Sequence, residues 1–143
     1  MSPQESSRQV APAAALSGAV LLVEDDADVR NAVCDLLGSE GLTVVAARDG
    51  REALDLLLAG LRPSVIVLDL TMPRMDGWDF RQAQMGDRDL RDIPVIVATA
   101  AGFSAETIRT QFGDVQFLRK PLDPVTFLEV VASCCQPYRR SRA

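Results

Sequence analysis

The sequence predicts an α/β fold, a doubly wound parallel sheet with helices on both faces. Short apolar runs recur along the chain and alternate with segments whose apolar residues repeat at helical spacing. Most runs are continuous rather than alternating, as in Val65-Ile66-Val67-Leu68, which marks strands buried on both faces. Several runs end abruptly in an acid, a hydroxyl or a lysine, at the strand end where open α/β sheets bind their ligands.

The 143 residues suit one domain with a sizeable core, expected over residues 19–136. A hydrophobic share of 48% and a charged share of 24% are ordinary for a globular chain. The net charge of −5 and pI near 4.7 speak against a general nucleic-acid binder or an anionic-membrane binder, both of which need a basic face. No apolar run approaches the roughly 18 residues of a spanning helix. The Ser/Pro/Ala-rich lead, residues 1–18, lacks periodicity and makes a poor signal peptide, so disorder is expected there. Three cysteines, two of them adjacent, argue against a disulfide framework and fit a reducing cytoplasm. The absence of histidine and of any CxxC pair removes the usual zinc ligand sets and every His-based triad. Chemistry is left to carboxylates, hydroxyls and lysine.

In order, Ala19 to Val23 is a fully apolar strand running into Glu24-Asp25-Asp26. Val29, Ala32, Val33, Leu36 and Leu37 then mark a helix that Asp25 or Asp26 can cap and Gly38 or Gly41 can end. Cys34 falls on its apolar side, as a small buried hydrophobe. Leu42 to Ala46 reads as a second strand, and Asp49-Gly50 opens a helix with Ala53, Leu54, Leu57 and Leu58 as its stripe. The third strand, Val65 to Leu68, ends at Asp69 and is bounded by Pro63 and Pro73; a helix over Trp78 to Met85 follows. Ile93 to Ala98 is a fourth strand ending at Thr99, and Ser104 caps a helix with Ile108 and Phe112 inside. Val115 to Leu118 is the fifth strand, ending at Arg119-Lys120-Pro121. Asp123-Pro124 serves as N-cap and N1 of the last helix, whose core face is Phe127, Leu128, Val130, Val131 and Cys134. Residues 137–143 form a short basic tail that reads as a solvated end.

Right-handed crossovers put all the strand carboxyl ends on one edge. That edge collects Glu24 and Asp25, Asp69, Thr99 and Lys120. Clustered carboxylates repel unless they share a cation, and hard oxygen ligands without imidazole or thiolate select magnesium, manganese or calcium. Magnesium with few protein ligands suits phosphate chemistry. Asp69 can then attack phosphorus to give an acyl phosphate, with Lys120 neutralising charge on the phosphoryl oxygens and Thr99 donating a hydrogen bond.

Leu21-Leu22-Val23-Glu24-Asp25-Asp26, Asp69 with Met72-Pro73 and Met75-Asp76-Gly77, Thr99-Ala100 and Lys120-Pro121 occur in an order and spacing that resemble the receiver domain of bacterial two-component response regulators, over residues 19–136. The resemblance implies a flavodoxin-like (βα)5 fold with strand order 2-1-3-4-5. It implies that Asp69 accepts a phosphoryl group from the phosphohistidine of a sensor histidine kinase or phosphotransfer protein, with Mg2+ and Mn2+ as suitable ions. Asp25 matches the direct metal ligand, Glu24 the second acidic-pocket residue and Thr71 a residue that gives its backbone carbonyl to the metal. Thr99 and Lys120 match the phosphoryl-contacting pair, Phe117 the aromatic switch, and Lys120-Pro121 a peptide bond usually cis. The fourth helix, fifth strand and fifth helix would be the face that switches, for an unidentified protein partner or a phosphorelay. With only about seven residues beyond the last helix, no DNA-binding output domain is expected, and neither is a membrane role. Glu24 reaches further than the commoner aspartate and favours a water-mediated metal contact. Phe117 lacks a phenolic hydroxyl, and Leu122 stands where phenylalanine often follows the proline.

Each residue has a plainer use: Asp25 as a cap, Thr99 as a strand-end hydroxyl, Lys120 as a solvated charge, Asp76-Gly77 and Met72-Pro73 as turn chemistry, Trp78 as an anchor for its helix. Two other functions compete. An aspartate-nucleophile phosphatase of the haloacid dehalogenase type would place its nucleophile in a DxD on the first strand and needs a longer chain. A receiver-fold scaffold that is never phosphorylated has no need of the full set of acids, Thr99 and Lys120.

Overall fold

Continuous apolar runs have to be covered on both sides. The computed structural model, which describes residues 19–70, 75–100, 102–113 and 115–135, meets this with one five-stranded parallel sheet between two layers of helices. The strands are β1 (Val20–Val23), β2 (Val44–Ala47), β3 (Val65–Leu68), β4 (Val95–Thr99) and β5 (Gln116–Arg119). The helices are α1 (Ala27–Ser39), α2 (Gly50–Leu58), α3 (Gly77–Met85), α4 (Ala105–Phe112) and α5 (Pro124–Cys134). The strand order β2-β1-β3-β4-β5 is the flavodoxin-like one that the resemblance implies. Direction reverses between β1 and β3, so the crevice of this sheet opens at the carboxyl ends of those two central strands. The lead 1–18, Thr71 to Arg74 and the tail 137–143 lie outside the described residues.

Period-two alternation divides the core. Leu21, Val23, Ile66, Leu68, Val95 and Val97 face α2, α3 and α4, where Ala53, Leu57, Phe80 and Ile108 are buried. Val20, Leu22, Val65, Val67, Ile96 and Ala98 face α1 and α5, where Val33, Leu37, Phe127 and Val131 are buried. The helices begin on side-chain caps: Asp26, Asp49, Asp76, Ser104 and Asp123 each accept a backbone N–H of the first turn. No helix among the described residues is long and apolar enough to cross a membrane.

Several boundaries differ from the sequence reading. The second strand starts at Val44 rather than Leu42, because Gly41 at φ 82° turns the chain out of α1 and the Leu42 N–H still donates back to the Leu37 carbonyl. The fourth strand starts at Val95 rather than Ile93 and the fifth at Gln116 rather than Val115, and both end one residue later, at Thr99 and Arg119. Cys134 is only half-buried; the fully buried residue is Cys135, whose N–H closes the last turn onto Val131 and Ala132. Cys34 is likewise half-buried against the α1–α5 layer, where desolvation, helped by Asp35, holds its thiol above the usual range.

Asp76-Gly77 does more than turn the chain. A Cβ on Gly77 would lie 2.5 Å from the Asp69 carbonyl oxygen and 2.7 Å from Leu70 Cα, and the Gly77 N–H donates to the Leu70 carbonyl at 2.9 Å. Only glycine lets the start of α3 sit directly on the end of β3. Gly77→Ala is expected to destabilise the fold by about 1–3 kcal/mol. Gly102→Ala, where an added Cβ meets nothing within 4 Å, should leave the urea midpoint within experimental error. Equal midpoints for the two variants would contradict the close approach.

Candidate functional site

Strand register assembles the site. Val23 pairs with Leu68, so Glu24 and Asp69, each one residue further on, emerge side by side from the central strands. The Asp69 N–H continues the ladder to the Val23 carbonyl at 3.1 Å, and the Glu24 N–H donates to the Ala47 carbonyl at 3.0 Å. On the other flank Thr99 pairs with Arg119, and the Lys120 N–H reaches back to the Thr99 carbonyl at 3.2 Å. The Lys120–Pro121 bond is cis.

The side chains meet across these ends. Lys120 Nζ donates to Glu24 Oε1 at 2.5 Å and to Asp69 Oδ2 at 3.3 Å. Glu24, Asp25 and Asp69 each present a carboxylate oxygen within 4.8 Å of the others. Glu24, Asp69 and Thr99 are buried at 3%, 7% and 1% exposure, whereas Asp25 is exposed at the mouth. The cap position of α1 goes to Asp26, which accepts from the N–H groups of Asp28 and Val29, and this leaves the Asp25 carboxylate in the cluster. Thr71 lies outside the described residues. Phe117 stands apart from the acids, half-buried on the α4 side of the sheet with the Arg119 guanidinium 5.2 Å above its ring.

The Glu24–Lys120 pair is not symmetrical. Burial pushes the Glu24 carboxyl up from its ordinary value, and its hydrogen bonds to Lys120 and the Asp26 N–H recover only part of that. Burial alone would lower the Lys120 ammonium, but the hydrogen bond to Glu24 and the charges of Asp69 and Glu24 outweigh it and hold it above the usual lysine range. Within 4.8 Å of one another and at an effective dielectric near 20, the buried pair Glu24 and Asp69 repel by about 3 kcal/mol or more. One ammonium against three carboxylates leaves negative charge in excess. That all-oxygen donor set fits a hard divalent cation.

Sequence reasoning missed one supporting group. Arg30, on the first turn of α1, donates to the Glu24 carbonyl at 2.9 Å and the Asp25 carbonyl at 3.4 Å, fixing the backbone that carries both acids. Its only sequence signal is a spacing of five residues from Asp25, which places it back over the helix start.

Comparison with known proteins follows the same lines. The family model described as response regulator receiver domain matches residues 20–132. The response regulator MprA of Mycolicibacterium vanbaalenii is 39% identical over 103 residues, 71% of this chain and 43% of that protein. The chain spans less than half the length of the first curated relatives it matches. Among solved structures, the receiver domain of a signal transduction histidine kinase from Syntrophus aciditrophicus matches at TM-score 0.74 and 31% identity, covering 86% of this chain and 93% of that one. The chemotaxis protein CheY4 of Vibrio cholerae matches at TM-score 0.73 and 31% identity, covering 82% and 98%.

The raised Glu24 carboxyl sets a pH dependence. A folded-state pKa above the unfolded one gives stability that is complete below the unfolded value and is lost as pH rises through the folded value. In chelator, Glu24→Gln, which fixes the uncharged form, should therefore gain stability over the parent as pH rises from about 4 toward 7. Magnesium should raise the melting temperature of the parent more than that of the variant. A stability difference that is flat with pH would contradict the burial argument.

Proposed function

The chain belongs to the response regulator receiver domain family, whose members are signalling phosphoacceptors, and from that premise we propose that Asp69 is the acceptor carboxylate. The observation that carries this reading is the Lys120 ammonium bridging Asp69 and Glu24 at the carboxyl edge, with Asp25 completing the acidic cluster.

An Asp69 oxygen attacks phosphorus of a phosphohistidine on a histidine kinase or phosphotransfer protein. The P–N bond breaks as the P–O bond forms; the imidazole nitrogen keeps the electron pair and is reprotonated from solvent. The Lys120 ammonium balances charge on the phosphoryl oxygens, and the Thr99 hydroxyl donates to one of them. Bound by Glu24, Asp25, Asp69 and the Thr71 backbone carbonyl, Mg2+ or Mn2+ would supply the further positive charge that these oxygens need. An apolar groove of about 680 Å3, lined by Val29, Val33, Leu36, Leu122 and Phe127, has Lys120 on its wall and offers the donor a seat beside the acceptor.

The output is a switch. Phosphorylation raises the negative charge at Asp69, Thr99 moves toward it, and the vacated space admits Phe117. The equilibrium between two existing states shifts, altering the face of α4, β5 and α5 for a downstream protein or a further phosphotransfer step.

With acetyl phosphate and magnesium, the chain should gain one phosphoryl group by intact mass. Chelating the magnesium should slow that labelling by roughly 100-fold or more. Asp69→Asn should stay unlabelled; labelling of this variant at the parent rate would overturn the assignment.

A further inference from the structure

Away from the acids, aromatic and basic side chains converge on the loop that leaves β4. Phe103 stands four residues beyond Thr99, at the approach to α4. Its ring is edge-on to Trp78 at the start of α3, with centroids 5.2 Å apart and planes at 80°. Its carbonyl accepts from the Arg119 guanidinium at 3.1 Å. Trp78 also leans on Phe112, at the far end of α4, with centroids 5.0 Å apart. One turn along α3, Arg81 donates to the Phe112 carbonyl at 2.7 Å. One indole thus touches residues at both ends of α4.

The helix that carries the indole is anchored at both ends. Gly77 seats the start of α3 on Asp69 and Leu70, and buried Gln84 ties its end to the Leu90 and Ile93 carbonyls at 2.9 and 3.1 Å. By contrast, Ala100 and Gly102 are exposed, and a Cβ on Gly102 would meet nothing within 4 Å. We propose that Trp78 is a positioning residue for the Thr99 loop: its edge-to-face contact with Phe103 holds the loop in the resting state, and the contact opens when Thr99 closes on the phosphoryl group. The proposal rests on the reading of Asp69 as phosphoacceptor and adds a restraint on the motion that follows. Edge-to-face pairs are of a strength that biases such an equilibrium by a factor of about 2 to 10.

Trp78 is the chain's single tryptophan, so its emission reports the contact directly. Adding magnesium and beryllofluoride, a phosphoryl stand-in, to the full chain should change that emission. In Phe103→Leu the same addition should leave it nearly constant. Trp78→Leu should label with acetyl phosphate about 2- to 10-fold faster than the parent, an acceleration that a purely structural side chain would not produce. Trp78→Phe, which keeps a ring, should stay within about 2-fold of the parent rate. A parent chain that labels with unchanged emission overturns the proposal alone, as does a Phe103→Leu emission change equal to the parent's or a Trp78→Leu rate no faster than the parent's. A parent chain that gains no phosphoryl group overturns the reading of Asp69, and the proposal with it.

Discussion

The ammonium of Lys120 joins the ends of β1, β3 and β5, and the rest of the edge is built around that bridge. Without it, Glu24 and Asp69 would be two buried carboxylates within 4.8 Å of one another, an arrangement that water would have to enter or a proton would have to relieve. With it, the burial that raises the Glu24 pKa is partly offset by the Lys120 hydrogen bond and charge. The bridge depends in turn on register. Shifting any of the central strands by one residue would send these side chains to the opposite face and apolar ones to the edge.

The same arrangement is stable yet electrostatically incomplete. Two acids are buried against one ammonium, a third stands at the mouth, and Arg30 spends its donors on backbone carbonyls rather than on the carboxylates. Added positive charge, or chemistry that reorganises the negative charge, therefore has leverage here that it would lack on a solvated surface. The site shares backbone with the elements around it. Gly77 seats the start of α3 on the end of β3, while the chain leaving Thr99 leads through Phe103 to α4.

Most of the fold was legible because continuous apolar runs and capping aspartates leave little choice. Val65 to Leu68 can only be a central strand, and Asp123-Pro124 can only begin a helix. The edge cluster was legible because Glu24, Asp25, Asp69, Thr99 and Lys120 each lie at or just beyond the carboxyl end of a strand, so topology alone brings them to one edge. Arg30, the tight seat of Gly77 and the Trp78–Phe103 contact were not. Each depends on tertiary distance between segments whose local patterns are satisfied without it: Arg30 reads as an ordinary helix residue, Gly77 as half of a turn, and Phe103 as a loop aromatic. The start of the second strand was misplaced for a related reason. Leu42 and Thr43 have strand propensity, but the hydrogen bonding that closes α1 claims Leu42 first.

On the proposed reading, this edge directs a phosphoryl group to Asp69 and not to the acids around it. Borohydride reduction of the phosphorylated chain converts an acyl phosphate to the corresponding alcohol, so peptide sequencing reads out which carboxylate carried it. Homoserine is expected at position 69 alone. Modification at position 24 or 25 instead would contradict it.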